Sequence, residues 1–352
     1  MNLLNIGTER TTYHVELSFS PLFEAALGIA AVTYDDIRPT LEQPVEYWQQ
    51  LMDKLDPVTL RELDYAKQNN TWKTLLQLLH QHSFSDLSAF LSYVKELPAE
   101  ELRYQALPYL GEELQAMRQE AARGSDAAIY ALQNACRSHL FFPAYIGHIG
   151  STRPEKLRSH LLLLMEGWYN THVKPREAEI SKILERDCTL KKAMQERLSA
   201  EAFVEWATHG SYPPEPAITR VLLIPHIIYR PWTIHANDAG TKIFYYPVAD
   251  ESLHDTVDPY RPSQTLVQTL KVLGDEYRLR LVKMLSEKEM SLQEMTERLG
   301  VAKSTVHHHL SLLRSAHLVE GKGNKYRFKR KALDKMPVLL QQFLGDMTDD
   351  NC

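Results

Sequence analysis

The sequence predicts an α+β fold: a mostly helical N-terminal domain with a small β-sheet, followed by a basic C-terminal domain of short helices closed by a β-hairpin. Three observations predict it. Apolar residues recur at helical spacing across most of the first 207 residues. Runs rich in β-branched and aromatic residues lie on both sides of that helical block. Charge is divided unevenly along the chain, with Lys and Arg gathered near its C-terminal end. The domains are expected at residues 1–255 and 263–340.

In the N-terminal part, Tyr13, Val15, Leu17 and Phe19 place an apolar residue at every second position, the period of a half-buried strand that ends at Pro21. Helical spacing follows, for example through Phe84, Leu87, Phe90, Leu91 and Val94, then Leu161 to Met165 and Trp168. Stops at Pro98, Pro108, Gly124 and Pro143 divide it. At Tyr212-Pro213-Pro214-Glu215-Pro216 the helices must end, because proline lacks an amide proton and its ring clashes with the preceding turn. Strands are expected at 221–224, 227–229 and 242–246, with a turn at Asn237-Asp238-Ala239-Gly240, and the strand near the N-terminus should pair with them. Asp250 to Ser263, with Pro259 and Pro262, is the expected linker.

Composition narrows the function classes. The chain has 352 residues, 44% of them hydrophobic, enough for packed cores in two domains rather than disorder. Its three cysteines, Cys136, Cys188 and Cys352, are distant and odd in number, so they form neither a disulfide framework nor a Cys-x-x-Cys metal site. The start, MNLLNIGTER, lacks a signal pattern, and no apolar run approaches the roughly 18 residues that span a bilayer. A soluble, cytoplasmic protein with no membrane partner is expected. The net charge of −5 conceals an asymmetry: residues 263–335 hold 15 Lys+Arg against 8 Asp+Glu, and residues 298–335 hold 10 against 2. A basic segment on an acidic body suits a module that binds phosphates, and double-stranded DNA is the partner this suggests.

The basic segment also has local order. Leu266, Leu270 and Leu273, then Leu279, Val282 and Leu285, form amphipathic helices around Gly274-Asp275. Ser291-Leu292-Gln293-Glu294 fits a capping box, and Gly300 comes only nine residues after Ser291, so a second helix begins near Ala302. Helix, tight glycine turn and helix make a helix-turn-helix unit. At about 100° per residue, Val306, Leu310 and Leu313 share one face of the second helix, and Ser304, His308 and Ser311 face the opposite way. Short hydroxyls and imidazoles near a helix N-terminus can reach base edges or phosphates in a groove. The DNA-contact candidates on this helix are Lys303, Ser304, Thr305, His307, His308, Ser311 and Arg314. Beyond it, residues 320–329 read as two strands around a Gly-rich turn, a wing in which Lys322, Lys325 and Arg327 are candidates for phosphate or minor-groove contact.

These residues resemble a known family. Leu270-Lys271-Val272-Leu273-Gly274-Asp275-Glu276-Tyr277-Arg278-Leu279-Arg280-Leu281 and Leu299-Gly300-Val301-Ala302-Lys303-Ser304-Thr305-Val306-His307-His308-His309-Leu310-Ser311-Leu312-Leu313-Arg314 are similar to the ArsR (ArsR/SmtB) family of winged helix repressors. The resemblance covers about 75 residues, wing included, and extends to the family's longer members. It implies a homodimer built by the outer helices, before Leu285 and after Ala332, with two recognition helices about one DNA turn apart on a palindromic operator. Ala302 departs from the serine often found at that helix start, which removes a cap.

Other chemistries fit less well. His307-His308-His309 cannot converge on one ion, since helical neighbours point about 100° apart. The family's thiolate pair is replaced by Met290-Ser291-Leu292-Gln293-Glu294-Met295, and no histidine follows His317. No phosphate loop, Gly-x-Gly-x-x-Gly, Gly-x-Ser-x-Gly or His-Glu-x-x-His occurs. No metal, no cofactor and no catalytic residue is therefore expected. The aromatic group Tyr229, Trp232, Phe244, Tyr245 and Tyr246 reads as core before it reads as a ligand pocket. For the large domain, sensing a small-molecule effector, contacting a partner and strengthening dimerisation stay open. A protein-interaction adaptor and an enzyme fused to a DNA-binding tail are the rival functions.

Overall fold

A computed structural model describes residues 13–210, 212–254, 258, 260–322, 324–334 and 336–345. The expectations placed on the first ten residues, on Gly323 and on Cys352 lie outside the described residues. The fold is α+β, with a helical N-terminal region, small sheets and a C-terminal winged helix-turn-helix. The chain divides into two compact units, Met1–Val248 and Ala249–Cys352.

In the first unit, β1 (His14–Leu17) leads into α1 (Pro21–Thr33), α2 (Val45–Asp53), α3 (Pro57–Asn69), α4 (Trp72–Leu79), α5 (Leu87–Glu96) and α6 (Ala99–Ala106). They are followed by α7 (Gln115–Ala122), α8 (Asp126–Ala135), α9 (Phe142–Ser151), α10 (Pro154–Trp168), α11 (Glu177–Gln195) and α12 (Ala200–Thr208). The strands β2 (Arg220–His226), β3 (Ile234–Asp238) and β4 (Thr241–Pro247) complete the unit. Helix α1 starts where the sequence ends the strand: Ser20 is extended, its hydroxyl accepts the Leu22 amide at 3.2 Å, and Pro21 takes the first helical position. Twelve of its thirteen residues are buried, and a Cβ on Gly28 would sit 3.0 Å from the Trp168 ring, so the glycine permits close approach of α10.

The four strands run β1-β2-β4-β3. β1 pairs parallel with β2 in the register His14↔Arg220 to Leu17↔Leu223, β2 pairs parallel with β4, and β3 closes antiparallel on β4. A parallel pair needs a crossover, and here the crossover is the whole helical block. β2 is buried at every position after Arg220, which explains its unbroken apolar run. Helix α12 covers one face through Phe203 and Val204 against Val15, Val221 and Phe244. Tyr229, Phe244, Tyr245 and Tyr246 are core residues, and Trp232 donates its indole N–H to Thr40 Oγ1 at 2.8 Å.

One expected strand is absent and an unexpected one replaces it. Residues 227–229 turn away after His226, because the buried Glu24 carboxylate accepts the amides of Ile227 at 2.9 Å and Ile228 at 2.6 Å, which removes those donors from any ladder. β3 forms instead from the more polar Ile234–Asp238, which takes in Asn237 and Asp238; the turn contracts to Ala239-Gly240, with Gly240 at φ +63°.

The second unit holds α13 (Asp250–Leu253), α14 (Gln264–Leu273), α15 (Glu276–Glu287), β5 (Met290–Ser291), α16 (Leu292–Leu299), α17 (Lys303–Ser315), β6 (Val319–Lys322), β7 (Lys325–Phe328), α18 (Arg330–Asp334) and α19 (Met336–Leu344). Part of the expected linker is thus ordered: Asp250–Leu253 is a helical turn, and the Asp250 carboxylate accepts the Gln264 amide at the start of α14. Residues 255–257 and 259 lie outside the described residues. Cys136 and Cys188 are buried, and burial pushes the Cys188 thiol up to about 12. Among the described residues no helix is long and apolar enough to cross a membrane.

Candidate nucleic-acid interface

The scaffold of the second unit is α14 and α15. Asp275 begins α15, accepting the Arg278 amide at 3.0 Å, and that bond first holds its carboxyl below the usual range. The Arg278 guanidinium reaches back to the carbonyls of Val272 and Lys271, satisfying acceptors that the end of α14 leaves open. α16 carries the capping box expected from the sequence: Glu294 N–H donates to Ser291 Oγ at 3.3 Å, and Ser291 N–H donates to Glu294 Oε2 at 2.7 Å. Gly300 ends α16 at φ +67°, a left-handed conformation that glycine adopts without strain. Ala302 then precedes α17 with no side-chain cap, as the sequence implied.

α17 is two-faced. Val306, Leu310 and Leu313 are at most 1% exposed and join Leu281, Leu285 and Met295 in one core. Lys303, Ser304, Thr305, His307 and His308 are exposed, so its first two turns offer five neighbouring polar side chains. Ser311 is half-buried and donates to the His307 carbonyl at 3.0 Å, while Arg314 is half-buried in the last turn. The consecutive histidines diverge. His309 is buried, stacks on Tyr277 with ring centroids 5.7 Å apart, and lies 3.9 Å from Asp275; burial lowers its pKa. This residue ties α17 to α15, and its position three after Val306 and four before Leu313 places it beside the buried stripe.

The wing closes the unit. β6 and β7 pair antiparallel, and β7 also pairs with β5, so the hairpin is anchored beside the start of α16. Tyr326 and Phe328 pack on the core, and Lys325 and Arg327 are exposed on alternate positions, as period two requires. The Lys322 side chain lies outside the described ones. Arg327 is engaged: its Nε donates to Glu320 Oε1 at 2.9 Å and its Nη2 contacts the same oxygen across the ladder. The pairing register Glu320↔Arg327 creates this bond, and only a known register would have revealed it in the sequence. Among the described residues Lys325 has no such partner, and its charge helps lower the pKa of Glu294.

A second surface belongs to the outer helices. Leu270, Tyr277 and Leu279 on α14 and α15, and Val338, Leu340 and Leu344 on α19, are exposed large apolar residues, Leu279 at 51% and Leu344 at 60%.

Residues 273–322 match the helix-turn-helix domain family. The match runs from the end of α14 through α17 into β6, the segment that builds the two-faced helix. The C-terminal unit is therefore a DNA-binding domain of the kind that transcription regulators carry. Comparison of the whole chain with curated proteins and with solved structures finds no match.

Proposed function

We propose that the chain is a sequence-specific transcriptional regulator of ArsR type, a repressor that occupies a palindromic operator as a homodimer in the cytoplasm. One observation carries the reading: α17 buries a complete apolar stripe while its first two turns hold Lys303, Ser304, Thr305, His307 and His308 in the open. A helix so placed fits the major groove of about 12 Å, where hydroxyls and imidazoles meet base edges. Lys322 and Lys325 meet phosphates beside it, and Arg327 does so by exchanging Glu320 for DNA. Ser311 and Arg314 bound the contact region. The apolar side chains of α14, α15 and α19 form the dimer face, since patches of this kind mark protein contacts. The chain acts by binding rather than turnover, and its N-terminal unit senses an effector that alters operator affinity.

Selection of genomic fragments by the purified protein tests this. Recovered sites should share an inverted repeat with half-sites about one helical turn apart, and light scattering should give the mass of two chains. Fragments without a common motif, bound equally well by a Ser304→Ala/His308→Ala variant, would overturn base reading. A monomer on a single half-site would overturn the dimer.

A further inference from the structure

The N-terminal unit contains a cleft of about 650 Å³ between α5, α10 and the start of α11. Its volume falls within the roughly 300–1,000 Å³ of small-molecule sites. One wall is made by an unusual piece of backbone. After α10 the chain makes a π-turn over Tyr169–Val173, in which the Lys174 amide donates to the Tyr169 carbonyl, and a 3₁₀ turn over Lys174–Arg176 then leads into α11. An ordinary α-helix would set residues 169 and 174 about 140° apart. The wide turn, a device common at functional sites, brings Tyr169 and Lys174 onto the same cleft wall.

The lining has three kinds of group. Leu87, Leu91 and Leu162 supply apolar surface. Asp86 accepts from the Ala89 amide and the Ser85 hydroxyl, and burial, with the Glu177 charge, keeps the proton on the Tyr169 phenol, which is only 3% exposed. Lys95, Lys174 and Glu166 also line the cleft, and among the described residues their charged ends have no hydrogen-bond or ion-pair partner. Asp86 is thus tied to the start of α5, while Lys95, Lys174 and Glu166 offer two ammoniums and one carboxylate in a cleft that leucines also line.

We infer that this cleft is the effector site, and that it binds an amphipathic zwitterion: an amino acid or short peptide whose carboxylate meets Lys95 and Lys174, whose ammonium meets Glu166, and whose aliphatic body covers Leu87, Leu91 and Leu162. The inference deepens the sensing role proposed above and rests on it only for the consequence at DNA, since occupancy of the cleft is measurable without DNA.

Calorimetric titration of the full chain with leucine, with trileucine, and with trileucine blocked at both termini tests the site. Saturable one-to-one binding of leucine or trileucine is expected, at least tenfold weaker for the blocked peptide and for each of Glu166→Gln and Lys174→Gln. Ser88→Trp, on an exposed position of the lining, should abolish binding by filling the cleft. Circular dichroism checks that each variant is folded. No saturable binding of either zwitterion up to about 10 mM, a limit near −3 kcal/mol of affinity, would overturn the proposal. So would equal binding of the blocked peptide, or folded charge variants with unchanged affinity. Because Ser304→Ala/His308→Ala leaves this titration untouched, failure of DNA recognition and failure of the effector site give different results.

Discussion

Helices α1 and α17 are both thirteen residues long, and they are used in opposite ways. In α1 everything from Leu22 to Thr33 is buried, and its only acidic residue, Glu24, turns inward to hold the loop after β2. In α17 only Val306, His309, Leu310, Leu313 and Ser315 are buried, and the N-terminal face is polar and open. A helix apolar all round is a core element, and a helix with one apolar stripe has a second face to use. Helix α1 thus keeps its one titratable side chain inside, whereas α17 presents Lys303, His307 and His308 at its surface.

The largest consequence is a difference in acid stability. Burial depresses His80 and His226 to about 3, against an ordinary value of 6.5. Below that ordinary value the unfolded chain takes up protons that the folded chain refuses, so stability is lost as pH falls from about 6.5 toward 3, on the order of 4 kcal/mol per histidine. Glu24 acts in the opposite direction: burial raises it to about 7, and its contribution declines as pH rises from about 4.5 to about 7. Two histidines outweigh one carboxyl below pH 6.5. All five tryptophans lie in the first unit, so their fluorescence should report its unfolding on mild acidification, with a steeper response in Glu24→Gln. A signal flat from pH 7 to 4 would break the contrast.

Next in size is the buried stripe of α17. Leu310→Ala should cost the C-terminal unit about 2–5 kcal/mol, shown as an earlier transition in far-UV circular dichroism while tryptophan fluorescence keeps its midpoint. Coincident shifts of both signals would mean that the units do not unfold separately. On the exposed face, Ser304→Ala with His308→Ala should leave stability within about 0.5 kcal/mol and weaken operator binding by about 1–3 kcal/mol for each hydrogen bond to a base edge that is removed; equal weakening on random DNA in a gel-shift titration would place these residues on phosphates instead. The smallest effect is at the wing: Lys325→Ala should lower the slope of log affinity against log salt by about one. Arg327→Ala should change it less, since Glu320 already compensates that charge.

Much of this was legible in residue order because it is local. A capping box spans four residues, a glycine turn three, and the stripe of α17 repeats within one helix. β1, β2 and β4 were legible for the same reason, in their period or their apolar density. What escaped depends on distant partners. The apolar 227–229 run turns away because of a carboxylate 203 residues earlier, and the polar β3 succeeds because β4 offers it an edge. The spacing of His309 places it beside the buried stripe of α17, but its partner Tyr277 lies on another helix and is not legible in residue order. The cleft was illegible because nothing in Tyr169–Val173 signals a π-turn, although Pro175, unable to donate an amide, marks where regular helix must give way.

The pairing of His14–Leu17 with Arg220–Leu223 imposes an order on synthesis. The first strand emerges from the ribosome roughly 200 residues before its neighbour, a delay of about 10–40 s at ordinary translation rates. Its ladder groups must wait throughout that interval while the helices between them assemble. An unsheltered strand edge is an aggregation hazard, so nascent chains halted inside the helical block should engage chaperones until the later strands arrive.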